Sequence, residues 1–425
     1  MITNLQKILV RLQKLHPKEI DLSLGRIKNI CNKLNNPEKD LKVISVVGTN
    51  GKNSTIQAMR SILNEAKIKT NIYTSPHIQK INERFVINSK EMNDLELSKL
   101  FLEIEKINNG EEITFFEILT AAFLKKASEN KNNLNIIEAG LFHRFDATNI
   151  FNHNLASVVT AIGIDHTDWL PRNERTMDQI IFEKTSKLLK SKIIVSKQDN
   201  KEVFSKIENS LVNNLSKKIF FNNQYSFTLS ENNFFYYEDE FGGLKLPLPN
   251  LLGEFQLANI ATAIATLRNI EEIKLKEIHI KNGIKKIQCI GRLQEIKSGN
   301  LKKLIKNNKL IIDGSHNPLG GKVLSNYLDS IDNNIHLIVG MMSNKKHQEF
   351  LDNFTNKLSS LTTIDIPNQP NSINGEKLKN KIKGFKNIRY KKSVKEALET
   401  LNLKDNDIAI VTGSLYLAGE VLNLN

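Results

Sequence analysis

Residues 46–55 of the chain read VVGTNGKNST, with Gly48 and Gly51 bracketing two polar residues and Lys52 and Ser54 close behind. Glycines let a backbone approach a ligand closely, and a lysine and a hydroxyl at a helix start add a cation and an oxygen donor. Such a segment is suited to holding phosphate through backbone N–H groups, the helix dipole and the Lys52 ammonium. Its spacing is looser than GxxxxGK[ST], because Val46 stands at the first glycine position and Asn53 separates Lys52 from Ser54. A glycine turn with a surface lysine is the plainer alternative. Two further residues close apolar runs: Glu138 follows LNII and His166 follows VVTAIGID. Strand ends of open α/β sheets are where ligands bind. By itself, either residue could be structural. Beside a phosphate loop they become candidate magnesium ligands, since magnesium prefers oxygen and completes its shell with phosphate and water.

Positioning these residues requires a strand before the loop and a helix after it. The run KVISVV at 42–47 is β-branched and ends at glycine, and 54–66 carries helical apolar spacing. Short apolar runs recur at 70–73, 134–137, 157–162 and 192–196, which predicts a parallel α/β sheet. Between 218 and 250 a dense Phe, Tyr and Asn texture predicts antiparallel hairpins, followed by a helix over 255–267. A second alternating series has runs at 310–312, 335–340, 361–366 and 408–411, so the domain boundary is expected near Lys297. At the start, Leu5, Ile8, Leu12 and Leu15 are spaced as in an amphipathic helix, without a secretory cleavage site.

With 425 residues, two domains are the natural expectation. A composition of 40% hydrophobic and 25% charged residues, without a long apolar run, excludes a disordered chain and a helical membrane protein. Cys31 and Cys289 stand far apart, which argues against a disulfide framework or a thiolate metal site and fits a reducing cytoplasm. The net charge of +14 is spread among lysines interleaved with asparagine, and aromatic content is 7%. Solvated lysine-rich faces explain this better than a nucleic-acid surface.

The loop VVGTNGKNST resembles that of the Mur-ligase-type amide ligases, and within them the dihydrofolate synthase/folylpolyglutamate synthase family, whose loop reads GTNGKGS. The resemblance continues in order through IDLSLGRI (20–27), TSPH (74–77), NERF (82–85), TFFE (114–117), DATN (146–149), DHTDWL (165–170), GRLQ (291–294), DGSHNP (313–318) and TGSLYLAGEV (412–421), spanning essentially the whole chain. It implies a P-loop NTPase-like Mur-ligase domain over 1–296, binding ATP and pterin, and a smaller Rossmann-like glutamate-ligase domain over 297–425. The activity implied is ATP-dependent joining of L-glutamate to dihydropteroate or reduced folates through an acyl phosphate, with the domains closing around the site. ATP contacts would come from Thr49, Asn50, Gly51, Lys52, Asn53, Ser54, Asn259, Arg292, Asp313 and His316. Ser54, Ser75, Glu138 and His166 would hold one or two Mg2+ ions, and Lys184 would be carbamylated to N6-carboxylysine, serving catalysis with Lys52 and His166. The pterin or folate would lie against Ile20, Asp21 and Leu22, against Thr114, Phe115, Phe116 and Glu117, and against Phe145, Asp146 and Ala147. Small molecules are the implied partners of a cytoplasmic monomer, with no nucleic acid and no membrane.

The chain departs from the family at EAGLFHRFDATN, where EVGLGGRLDATN is usual, so Phe142 and His143 replace two glycines. Phenylalanine resists φ > 0, and a rebuilt loop or a shifted substrate is the expectation. Thr185 and Ser186 stand for the usual Ala and Gly after Lys184, which lends weight to the alternative of an ordinary exposed lysine on a helix, and CIGR stands for PGR before Arg292. Alternatives are a single-activity enzyme, a catalytically weakened folate- or nucleotide-binding protein, and a ligase of cell-wall precursors. The last leaves DHTDWL and GSLYLAGEV unexplained.

Overall fold

A computed structural model describes residues 4–18, 21–230 and 233–425. It divides into two compact units: unit 1 comprises Met1–Ile162, Met177–Pro249 and Leu257–Ile287, and unit 2 comprises Gly163–Thr176, Asn250–Gln256 and Gln288–Asn425.

The strands of the large sheet of unit 1 are β1 (Lys42–Val47), β2 (Thr70–Tyr73), β3 (Phe85–Ile87), β4 (Lys90–Glu91), β5 (Leu134–Glu138), β6 (Ala156–Val159), β7 (Lys192–Val195) and β8 (Lys217–Phe220). They form an eight-stranded sheet in the order β4-β3-β2-β5-β1-β6-β7-β8. From β2 to β8 all pairings are parallel, and β3 and β4 add an antiparallel edge. Apolar strands buried on both faces are what a parallel sheet covered by helices requires. Helices Asn4–Leu12, Gly25–Lys33, Asp94–Asn108 and Phe115–Ser128 cover one face, and Leu5, Ile8 and Leu12 join Val43, Tyr73 and Ile137 in one core. Because β1 lies between β5 and β6, with Val46 opposite Glu138 and Val47 opposite Val159, the chain segments leaving these strands emerge along one edge.

The aromatic stretch divides in two. Its first part, KKIF, is β8 and pairs in parallel with β7, whereas β9 (Tyr225–Ser230), β10 (Phe234–Asp239) and β11 (Leu244–Pro247) make the expected antiparallel sheet.

Unit 2 carries β12 (Gln294–Ile296), β13 (Lys309–Ile312), β14 (Ile335–Val339), β15 (Ser360–Ile364), β16 (Ile388–Lys391) and β17 (Ile408–Thr412), in the order β12-β13-β17-β14-β15-β16. Only β12 is antiparallel. Alternate residues of its strands enter two separate cores: Ile311, Leu337 and Ile410 one, Ile312, Ile338 and Val411 the other. That is the period-two signature of a sheet covered on both sides. The two units part between Ile287 and Gln288, with β12 paired to β13, and residues 163–176 also belong to unit 2. Among the described residues no helix is long and apolar enough to cross a membrane.

Candidate active site

β1 is a buried β-branched run that stops where glycine makes a sharp exit possible. Gly48 has φ 151°, and a Cβ there would fall 2.0 Å from Thr160 Oγ1. Gly51 has φ 89° and precedes the first turn of helix Lys52–Glu65; a Cβ there would fall 2.5 Å from Asn259 Oδ1. The loop is braced on the strand beside it, since the N–H groups of Thr49 and Asn50 both donate to the Ala161 carbonyl, at 2.9 and 3.1 Å. These two amides therefore hold the loop in shape. The helix start at Lys52, Asn53 and Ser54 is where the unpaired N–H groups of a first turn point outward and favour an anion. Lys52 lies back over the loop, donating to the carbonyls of Gly48 (3.3 Å) and Thr49 (3.2 Å) with Nζ 3.9 Å from Glu138 Oε1.

Glu138 ends β5, is 4% exposed and accepts the Ser75 N–H at 3.1 Å. Lys184, on helix Met177–Thr185, is 5% exposed, and its Nζ donates to the Gly48 carbonyl at 2.9 Å. The alternative of an ordinary exposed lysine does not hold: Lys184 is buried against the phosphate loop, and Thr185 turns its hydroxyl inward to the Ile181 carbonyl (2.7 Å) and Ser210 (3.1 Å). Four chemistry-bearing residues expected from the sequence, Lys52, Glu138, Ser75 and Lys184, therefore converge on this loop, with Ser54 buried in the helix start and Asn259 beside Gly51. Oxygens from one carboxylate and two serines suit a hard divalent cation. Among the described residues no cluster of three or more His, Cys, Asp or Glu forms a metal cage by itself. A cation that takes the rest of its shell from phosphate and water fits such a donor set.

The segments expected to meet a flat acceptor are joined to one another. Arg26 Nε donates to Glu117 Oε2 and its Nη1 to Asp21 Oδ2, each at 2.9 Å, tying the first segment to the second. Thr114 caps helix Phe115–Ser128, with reciprocal bonds between Thr114 and Glu117. Phe116 stacks on Tyr73 at 6.0 Å, and a Cβ on Gly140 would meet both Phe116 and Asp146 Oδ2, which joins the second segment to the third. Phe115 packs partly buried against the core, Leu22 is half-buried and Ala147 buried, while Phe145 is 40% exposed. Ile20 lies outside the described residues. Asp146 is 2% exposed, and its carboxylate accepts from the N–H groups of Gly140, Leu141 and Thr148 and from the Thr148 hydroxyl. It is the brace of its own turn; burial raises its pKa, and these hydrogen bonds oppose the rise. Phe142 itself takes φ 56° and is 3% exposed. The left-handed turn thus survives without glycine, at a cost on the order of 1 kcal/mol.

The remaining expected residues lie in unit 2. Asp313, after β13, accepts the N–H groups of Leu293 and Ser315, each at 2.9 Å, and Arg292 approaches Gly314 so closely that a Cβ there would be 2.8 Å from Nη1. His316 Nδ1 lies 2.8 Å from the Gly314 carbonyl, and its Nε2 lies 3.4 Å from Asp165 Oδ2. His166 has φ 57° and Nε2 3.9 Å from the same carboxylate. Asp165 also accepts from Lys345 Nζ (2.7 Å) and Asn317 Nδ2 (2.9 Å). Its burial would raise the carboxyl, but His316, His166 and Lys345 outweigh it and hold the group well below the usual range. Arg26 and Lys345 were not singled out from the sequence. Arg26 stands inside IDLSLGRI, so its motif was visible, whereas SNKKH offered no signal that Lys345 pairs with DHTDWL.

Residues 46–267 match the Mur ligase middle domain, and residues 297–424 match the dihydrofolate synthetase C-terminal domain. The dihydrofolate synthase/folylpolyglutamate synthase of Haemophilus influenzae is 29% identical over 429 residues, covering 96% of this chain and 94% of that protein. The solved structure of Escherichia coli FolC in complex with DHPP and ADP is similar with a TM-score of 0.86 at 27% identity, covering 99% of this chain and 97% of that one. A bifunctional folylpolyglutamate synthase/dihydrofolate synthase with Mn, AMPPNP and L-glutamate bound matches with a TM-score of 0.85 at 26% identity, covering 99% and 98%.

Proposed function

The chain belongs to the dihydrofolate synthase/folylpolyglutamate synthase family of Mur-ligase-type proteins, and from that premise we propose that it is an ATP-dependent ligase joining L-glutamate to dihydropteroate, to reduced folates, or to both. The observation that carries this reading is the convergence on one phosphate loop of Lys52, Glu138, Ser75 and the buried Lys184. In the reaction the acceptor carboxylate attacks the γ-phosphorus of ATP, ADP leaves, and the acyl phosphate is displaced by the glutamate amine with release of phosphate. Catalysis of such a transfer is positioning and charge neutralisation. Lys52 and the N–H groups at the start of helix Lys52–Glu65 offset charge on the transferring group, and Gly48 and Gly51 allow the phosphates to reach the backbone. Glu138, Ser54 and Ser75 would hold a magnesium ion, which supplies Lewis-acid neutralisation of phosphate charge when bound. Asn259 lies where it can orient the nucleotide beside Gly51. Arg292, Asp313, His316 and His166 are assigned to nucleotide and metal by family likeness, with Asp313 acting through the turn it braces.

For the acceptor, Phe116 and Phe145 offer ring faces, Thr114 and Asp21 polar contacts, and Asp146 the rigid turn that carries Phe145. Lys184 is assigned as N6-carboxylysine. Buried, unbridged Cys31 and Cys289 suit a reducing cytoplasm, where a monomer would act.

The test is incubation of purified protein with MgATP, L-glutamate and either dihydropteroate or tetrahydrofolate, followed by product mass and ADP release. Gain of one glutamyl residue on at least one acceptor is expected. Folded, ATP-binding protein that glutamylates neither would sink the proposal.

A further inference from the structure

His143 is fully buried, and among the described residues neither ring nitrogen has a hydrogen-bond partner. Such an orphan is rare in a folded interior and costly to keep. Its surroundings show which partner would answer it. On one side in the chain, the Phe142 ring lies 5.6 Å from Lys184 Nζ. On the other, the Arg144 N–H donates to the Glu183 carbonyl at 3.0 Å, and its guanidinium clasps the Glu183 carboxylate at 2.6 Å. The residues on either side of His143 therefore face two successive residues of helix Met177–Thr185, and the Lys184 charge acts on the imidazole between them in sequence. Burial, with the Lys184 charge adding to it, pushes the imidazole down to about 4, so the ring is neutral and carries one N–H. An ammonium has no acceptor to offer that donor.

We propose that His143 is a positioning residue for a carboxylated Lys184, its ring N–H donating to a carbamate oxygen while the Phe142 ring shields the group from water. This rests on the assignment of Lys184 made above. In the modification, the lone pair of the uncharged Lys184 amine attacks the carbon of dissolved carbon dioxide. A nitrogen–carbon bond forms, one C=O π pair moves onto oxygen, and a nitrogen proton leaves to solvent; no oxidant or reductant takes part. The N–H left on the carbamate can keep the bond to the Gly48 carbonyl. His143 and Phe142 stand where the related loop has two glycines, so this chain supplies from its own loop a donor those glycines lack.

The experiment is 13C NMR of the full-length protein in 13C-bicarbonate, titrated to half-maximal carbamate signal, with Lys184→Ala as the blank. Wild type should show the signal. His143→Phe, which keeps a ring without a donor, should need roughly tenfold more bicarbonate, as expected for loss of one hydrogen bond to a charged group. His143→Gln, which retains an N–H donor, should recover most of the occupancy, and thermal melts establish that each variant is folded. Equal occupancy in wild type and folded His143→Phe would overturn the role of His143 alone. If His143→Phe does not fold, His143→Gln decides, with wild-type-like occupancy supporting the proposal and blank-like occupancy overturning it. A wild-type signal no greater than the blank would overturn the Lys184 assignment, and this inference with it.

Discussion

Among the described residues Lys52 bonds the carbonyls of its own loop and stands near Glu138, so its removal takes away a cation without opening the core. Lys52→Ala is expected to lower turnover at least ~100-fold, the scale of a lost charge-stabilising donor, with little change in thermal midpoint. ADP release and a circular dichroism melt check the two halves, and wild-type turnover would refute the phosphate role. Asp146 presents the opposite case, a carboxylate whose acceptor sites face four donors of its own turn. Asp146→Asn puts an NH2 group against N–H donors. It should cost about 1–3 kcal/mol, a drop of several degrees in melting temperature, because buried donors lose their acceptor. An unchanged melt would show that Asp146 is no brace.

Helix Phe115–Ser128 shows how one element joins fold and site. Its cap, Thr114 with Glu117, is a local sequence device worth on the order of 1 kcal/mol. Glu117 is 3% exposed and also accepts from Arg26, so the same carboxylate fixes the helix start and links it to Asp21. Glu117→Gln removes the charge that Arg26 answers. A loss of roughly 2 kcal/mol is expected, together with a raised KM for the folate acceptor and a smaller change in kcat, since Phe116 and Thr114 shift with the cap. Steady-state kinetics with varied acceptor measure the split; a change confined to kcat would place Glu117 in the chemistry instead.

Across the molecule, acid should act on the two units differently. His143 and His77 of unit 1 are both pushed down to about 4, His143 by burial and then Lys184, His77 by burial and then Arg84. Their unfolded pKa is near 6.5, so the unfolded state takes up protons first. Stability is fully present above 6.5 and is lost as pH falls toward 4, by up to about 1.4 kcal/mol per pH unit for each histidine. Asp146 works in the reverse sense, since its raised pKa favours the folded state as pH falls through it. In unit 2 His347 is shifted down, mainly by burial, but Asp165 and Asp407 lie below the ordinary carboxylate range despite burial that opposes the shift. Their contribution persists above the unfolded pKa and is lost only as pH drops below about 4. Amides of β1, β5 and β6 should therefore lose hydrogen-exchange protection between pH 6.5 and 4 before those of β13, β14 and β17. The fluorescence of Trp169, the single tryptophan and a residue of unit 2, should change late. Loss of unit 2 first would contradict this order.

Local patterns sufficed for much of the architecture. The β-branched run 42–47 ending at Gly48, the helical spacing that follows, and the recurring apolar segments each report burial or backbone preference over a few residues, and such signals act before any distant contact. The phosphate loop could be located in the same way, whereas the acceptor segments were placed by the family resemblance. Pairings were another matter. From its sequence neighbours Thr185 and Ser186 alone, Lys184 could equally be a surface lysine; one acceptor that holds it inside, the Gly48 carbonyl, lies 136 positions away. Sequence left open whether Asp146 braces its turn, as its carboxylate does, Phe142 was expected to resist the φ > 0 that it adopts, and the Asp165–Lys345 pair spans 180 positions. The cost of a buried charge or a strained dihedral is set by whichever groups the whole fold brings within bonding distance. Sequence periodicity determined which faces are buried and where the phosphate loop stands, and tertiary structure alone decided which polar groups answer one another there.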